Sequence, residues 1–176
     1  DSAAAAAAPL GGVPVGAFDI SFLVRSLWVA RHKATCGSDF DDMLRRVLAA
    51  DEALLAQLAQ ALIYVAGSPC VSFSEAGLRQ GLETESGKLW LRDVEFAVAA
   101  GFPVIVREMV TGILSFDAGR QAFDRAVALY EESGYLVAWQ VRQGFAYGDR
   151  TARARVFIVA ILPEFLRADK TVEQAF

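Results

Sequence analysis

The sequence predicts an α/β protein built on a mostly parallel sheet. Strand-like and helix-like stretches alternate along the chain, and several of the strand-like stretches are short apolar runs closed by a glycine or a polar loop. The chain has 176 residues and is 55% apolar, enough for one domain with a sizeable core and too apolar for intrinsic disorder.

Val13 to Phe22 reads as a first, weak strand interrupted by Pro14 and Gly16, with a helix expected over Phe22 to Ala30. Lys33 to Cys36 reads as a second strand, ended by Gly37-Ser38-Asp39. From Asp41 to about Leu58 the spacing is helical, with Leu44, Val47, Leu48, Leu54, Leu55 and Leu58 on one broad face. Leu62 to Ala66, ending at Gly67, has the profile of a buried parallel strand. A polar, glycine-rich loop covers Ser68 to Gly87, and Lys88 to Ala100 is a helix closed by Gly101. Pro103 to Val106 is another buried strand. Gly119 to Ser133 is an amphipathic helix stopped by Gly134, with Ala122, Phe123, Ala126, Val127 and Tyr130 on one side. Tyr135 to Val141 and Arg155 to Leu162 complete the strands. Residues 1–12, with six alanines, read as a tail and residues 13–176 as a single domain.

Composition narrows function. The net charge is −4, so any nucleic-acid contact must come from a local basic site or a partner, not from a general polybasic surface. The single histidine, His32, excludes a His-rich metal site, and no metal is expected. Cys36 and Cys70 form no C-x-x-C pair, which suits a reducing cytoplasm. No apolar run reaches the roughly 18 residues of a membrane helix.

Chemistry in open parallel sheets gathers beyond the carboxyl ends of the strands. Cys70 falls there, inside Ser68-Pro69-Cys70; Glu108 follows the strand Pro103 to Val106; Arg153 and Arg155 open the last strand. Taken singly, these read as a packed thiol, a solvated acid and a solvated arginine pair. Taken together, they resemble the DNA cytosine-5 methyltransferases. Gly67-Ser-Pro-Cys-Val-Ser-Phe-Ser74 resembles the Pro-Cys motif of that family, with Gly77 to Leu82 and Glu85 to Trp90 similar to the loop and helix start that follow it. Arg107-Glu-Met-Val-Thr-Gly-Ile-Leu114 resembles the Glu-Asn-Val motif, and Arg153-Ala-Arg-Val-Phe-Ile-Val159 the Gln-x-Arg-x-Arg motif. The match is collinear from about residue 62 to 162.

The resemblance implies a Rossmann-like, S-adenosylmethionine-dependent methyltransferase fold in shortened form. It implies methyl transfer from S-adenosylmethionine to cytosine C5 in DNA, through addition of the Cys70 thiolate to C6 of a flipped base. Glu108, Arg153 and Arg155 would then bind and activate the base, Ser74 would contact DNA phosphate, and Phe18, Asp39, Pro69 and Leu89 would hold the cofactor. Val71 to Gly87 would be a mobile loop pivoting on Gly77, Gly81 and Gly87.

The chain departs from the family pattern at identifiable places. Phe18 to Arg25 lacks the glycines of the cofactor turn, so weak cofactor binding is expected of the isolated chain. Asp51 is not expected to serve as the adenine-binding acid. Val71, Met109 and Thr151 stand where the family has Gln, Asn and Gln. The recognition region that follows the last motif in the family is expected on a second chain. The alternative is a catalytically impaired scaffold or one subunit of a split enzyme. A nicotinamide oxidoreductase is set aside for want of a G-x-G-x-x-G, and a Cys phosphatase because Ala76 stands where arginine is needed.

Overall fold

The computed structural model describes residues 16–18, 35–37, 39–67, 69, 71–74, 77, 79–148, 150 and 153–175. The chain divides into two compact units, Asp1–Leu62 and Ile63–Phe176.

In the first unit, β1 (Gly16–Phe18), inside the stretch expected from sequence, pairs in parallel with β2 (Thr35–Gly37), which runs one residue past the expected end at Cys36. The helix expected over Phe22 to Ala30 lies outside the described residues. The single helix expected from Asp41 to Leu58 is two helices, α1 (Phe40–Leu48) and α2 (Glu52–Leu58). The break is local chemistry. Ala50 turns left-handed at φ 55°, and the Asp51 side chain accepts from Leu54 N at 3.0 Å, capping a new helix. Arg46 Nε donates to the other Asp51 oxygen at 2.8 Å. The Leu54 amide and then Arg46 hold the Asp51 carboxyl below its usual range. Leu44, Val47 and Leu54 are buried, but the break turns Leu48 out of the expected face to 62% exposure.

The second unit is a four-stranded sheet in the order β3 (Ile63–Gly67), β4 (Val104–Val110), β6 (Ala154–Ile161), β5 (Leu136–Gln143). The β3–β4 pair is parallel and β6 is antiparallel to both β4 and β5, so three of the four strands run one way. Helix α3 (Glu85–Ala99) joins β3 to β4, and α4 (Asp117–Glu132) leads into β5. Both helices begin before the expected position. For α3 the cause is Thr84, whose hydroxyl accepts from Gly87 N at 3.0 Å. Two strand expectations need correction. β3 is half-buried, with Ile63 50% exposed, because it is the edge of this sheet among the described residues. β4 runs four residues beyond Val106, because its ladder with β6 continues to Val110 opposite Arg155. Glu108 is therefore a strand residue, not the first residue of a loop.

Alternation assigns the two faces of the sheet. Ile105, Arg107 and Met109 of β4 are buried on one face with Val156, Ile158 and Ala160 of β6. On the other, Val159 and Ile161 cluster with Ala138 and Val172, and Val104, Val106 and Leu166 pack against them.

A charged group lies within the first of these faces. Arg107 has no exposed surface; its guanidinium pairs with Asp93 at 2.7 Å, donates to the Trp90 carbonyl at 3.1 Å and sits 3.9 Å above the Trp90 ring. Burial alone would lower the Arg107 pKa, but the Asp93 carboxylate together with Tyr130 and Tyr64 outweighs it and the net direction is upward. Asp93 also accepts from the Tyr64 hydroxyl, and Trp90 Nε1 donates to Ala122 O of α4 at 3.1 Å. Removing one partner leaves a buried charge uncompensated, so Asp93→Ala is expected to lower stability by about 3–5 kcal/mol, measured as a shift of the urea midpoint.

Two buried tyrosines, Tyr130 and Tyr135, and the half-buried Tyr64 set a second dependence. Burial raises the Tyr64 phenol well above 10.0, raises that of Tyr130, and pushes that of Tyr135 up to about 12. Below about pH 9 all three are neutral in folded and unfolded chains alike. Above it the unfolded tyrosines ionise first, so stability falls as pH rises toward the folded values. A urea midpoint that declines between about pH 9 and about pH 11 is expected, with a shallower decline in Tyr135→Phe.

Candidate active site

Glu108 and the two arginines meet on one rim. β4 presents Glu108 on the face opposite Arg107, two residues before its carboxyl end. β6 runs antiparallel, so its first residues arrive at the same end of the sheet. Arg155 Nε lies 2.7 Å from Glu108 Oε1, and Arg153 Nη2 lies 3.9 Å from the same oxygen. Glu108 and Arg155 are partly buried, whereas Arg153 is exposed. Gly67 is the register partner of Glu108 on β3, and a Cβ there would lie 3.4 Å from Glu108 Oε2. The carboxylate therefore lies beside the end of β3, from which the chain runs to Pro69 and Cys70.

Cys70 itself lies outside the described residues, as do Ser68 and Thr151. The segment just after Cys70 is held firmly. Ser72 and Phe73 are buried; the Ser72 hydroxyl bonds Thr84 Oγ1 and Ser86 Oγ, each at 2.5 Å, and Phe73 stacks edge-on against Trp90 with ring centroids 6.3 Å apart. Gly81 and Gly87 are buried, and a Cβ on Gly87 would meet Gly81 O at 1.7 Å. These two residues let backbones approach one another. Gly77 N donates to Ser74 O at 3.0 Å, and Ser74 is half-buried.

The other residues assigned from sequence are spread over both units. Phe18 ends β1, and Asp39 follows β2, capping α1 by accepting from Asp42 N at 2.9 Å. Pro69 is exposed after β3, and Leu89 is half-buried on α3. Among the described residues no group of His, Cys, Asp and Glu could hold a metal ion, and no helix is long and apolar enough to cross a membrane.

The sequence reading missed the Asp93–Arg107 pair. Its signal was present: an arginine inside the apolar run Val104 to Val110, and an aspartate at the helical spacing of Trp90, Val94 and Ala97, facing the core.

The mixed α/β sheet, with Glu108 and Arg155 paired at the carboxyl end of its parallel strands, has the architecture of the Rossmann-like methyltransferases. The sequence profile of the C-5 cytosine-specific DNA methylases matches residues 45–175, and the chain belongs to that family. It is similar to the Type II methyltransferase M.Bsp6I of a Bacillus species, 27% identical over 157 residues, covering 86% of this chain and 49% of that protein. It is also similar to M.FnuDI of Fusobacterium nucleatum, 33% identical over 95 residues, covering 54% of this chain and 27% of that one. The chain thus spans between about a quarter and a half of the length of the curated relatives it matches. Among solved structures, a DNA modification methyltransferase encoded within an E. coli prophage shares the fold, with TM-score 0.63, 16% identity, and coverage of 85% of this chain and 40% of that one. The S. pombe Dnmt2 methyltransferase shares it with TM-score 0.61, 13% identity, and coverage of 93% and 45%.

The turn after β4 is fixed to the segment after Cys70 at Gly112, where a Cβ would lie 2.0 Å from Phe73 O. Gly112→Ala is expected to destabilise by about 1–3 kcal/mol through forced displacement, whereas Gly67→Ala, at ordinary contact distance, should fold normally; thermal unfolding of both variants checks the contrast.

Proposed function

We propose that this chain carries the catalytic rim of a DNA cytosine-5 methyltransferase, in which the Cys70 thiolate adds to C6 of a target cytosine. The observation that carries the reading is the Glu108–Arg155 pair beside the end of β3, within the stretch that matches the family. Cytosine presents O2, N3 and the exocyclic amine along one edge. A carboxyl group and an adjoining guanidinium match that edge: the Glu108 carboxyl, carrying a proton when the base is bound, donates to N3 and accepts from the amine, and Arg155, its 2.7 Å neighbour, donates to O2. Arg153, exposed and farther from the carboxylate, orders the rim and contributes positive charge that favours the Cys70 thiolate.

As the sulfur–C6 bond forms, the C5–C6 π electrons move to C5, which becomes nucleophilic, and the hydrogen bonds from Glu108 and Arg155 stabilise the charge spread over N3 and O2. Once C5 carries the methyl group, a water molecule at the rim takes the C5 proton, the C5–H electron pair reforms the C5–C6 double bond, and Cys70 leaves as the thiolate. The target atom is hidden in a duplex, so the base is flipped out, and Ser74 contacts the strand. Bound S-adenosylmethionine supplies an electrophilic methyl group. Asp39, an exposed carboxylate just after β2 in the first unit, suits a ribose hydroxyl of that cofactor. Sequence-specific readout falls to a partner or further segment, so single-stranded or mismatched DNA is the expected substrate of the chain by itself.

The test is covalent trapping on DNA containing 5-fluorocytosine, where the fluorine blocks elimination. With cofactor present, the unaltered chain should form an adduct, Cys70→Ser none, and Cys36→Ser as much as the unaltered chain. Glu108→Gln should slow adduct formation by about 10²-fold or more. Absence of an adduct under all conditions favours a scaffold, and an adduct surviving Cys70→Ser moves the nucleophile elsewhere.

A further inference from the structure

Arg107 and Glu108 are consecutive on β4 and point to opposite faces, so whatever fixes Arg107 fixes the register at which Glu108 is presented. Arg107 is held from several directions by Asp93 and Trp90 of α3, and Tyr130 of α4 faces its guanidinium. Asp93 in turn accepts from Tyr64 of β3. Tyr64 stands opposite Ile105 and three residues before Gly67, the residue opposite Glu108. One carboxylate thereby grips both the strand that leads into Cys70 and the strand that carries Glu108.

Apolar side chains between a helix and a sheet can be exchanged or repacked with little directional penalty. A buried ion pair cannot slide, because its hydrogen bonds fail with displacement while its desolvation cost remains. We infer that the buried Asp93–Arg107 pair, completed by Tyr64, is a positioning device that sets β3 against β4 and hence the placement of Glu108 beside the end of β3, the strand that leads into Cys70. The inference rests on the cytosine-reactive reading of the rim. Arg107, Asp93 and Tyr64 touch no reacting atom; they act through the two residues that do.

Stability alone is a poor explanation for such a pair, since apolar residues of similar volume often replace one at no loss. That property separates the two roles. The full chain carrying Asp93→Leu/Arg107→Met is compared with the unaltered chain in its unfolding midpoint and in single-turnover adduct formation on 5-fluorocytosine DNA with S-adenosylmethionine, over a range of DNA concentrations. The double variant should unfold at or above the wild-type midpoint, with half-saturating DNA within about twofold of wild type and the maximal rate lowered by about tenfold or more. Tyr64→Phe keeps the ring stacked 4.8 Å from Phe102 and loses only the hydroxyl, so it should give a smaller loss of maximal rate and serves where the double variant does not fold. Folded variants that react at the wild-type rate overturn the positioning role and leave the reading of the rim intact. A wild-type chain that forms no adduct overturns that reading, and the positioning role with it.

Discussion

A guanidinium cut off from water has to be neutralised where it stands, and much of the second unit follows from how this is done for Arg107. The Asp93 carboxylate at 2.7 Å fixes α3 over β4. The Tyr64 hydroxyl brings β3 to the same carboxylate, and the Trp90 ring beneath the guanidinium reaches α4 through its indole nitrogen. Four elements thus meet around one positive charge. Apolar packing around it, from Ile105, Met109, Val156 and Ile158, supplies the bulk of the burial without specifying a register.

That register has chemical consequences on the opposite face. Because side chains alternate, a β4 held with Arg107 inward must present Glu108 outward, opposite Gly67 and within 2.7 Å of Arg155. The antiparallel course of β6 matters as much. A strand running the other way would end, not begin, at this rim, and Arg153 and Arg155 would lie far from the carboxylate. The turn after β4 and the segment after Cys70 then interlock, with Gly112 against Phe73 and Ser72 bonded to the start of α3.

Much of this was legible in the sequence. Apolar runs closed by glycine marked the strands, and the Ala122–Tyr130 face marked α4. The errors have local causes. The helical spacing from Asp41 to Leu58 hid a break, because periodicity does not register a left-handed Ala50 or an aspartate that caps instead of facing solvent. β4 was cut short at Val106 because Arg107 and Glu108 look like loop residues; only the ladder with β6 and a buried partner for Arg107 make them strand residues. The glycines after Cys70 suggest hinges, and the same residue type also permits backbone contact; one sequence does not separate the two uses. The Glu–Arg pair was readable because its residues fall at strand ends, where open sheets collect chemistry.

The central claim is that Cys70 shares the rim with Glu108 and Arg155. A crystal structure of the chain trapped on DNA containing 5-fluorocytosine tests it most directly. The account predicts continuous density from Cys70 Sγ to C6 of the base, with the Glu108 carboxylate within about 2.7–3.2 Å of N3 and Arg155 at O2. A Cys70 side chain directed to the face that holds Arg107, with the base bonded elsewhere or not at all, would contradict it.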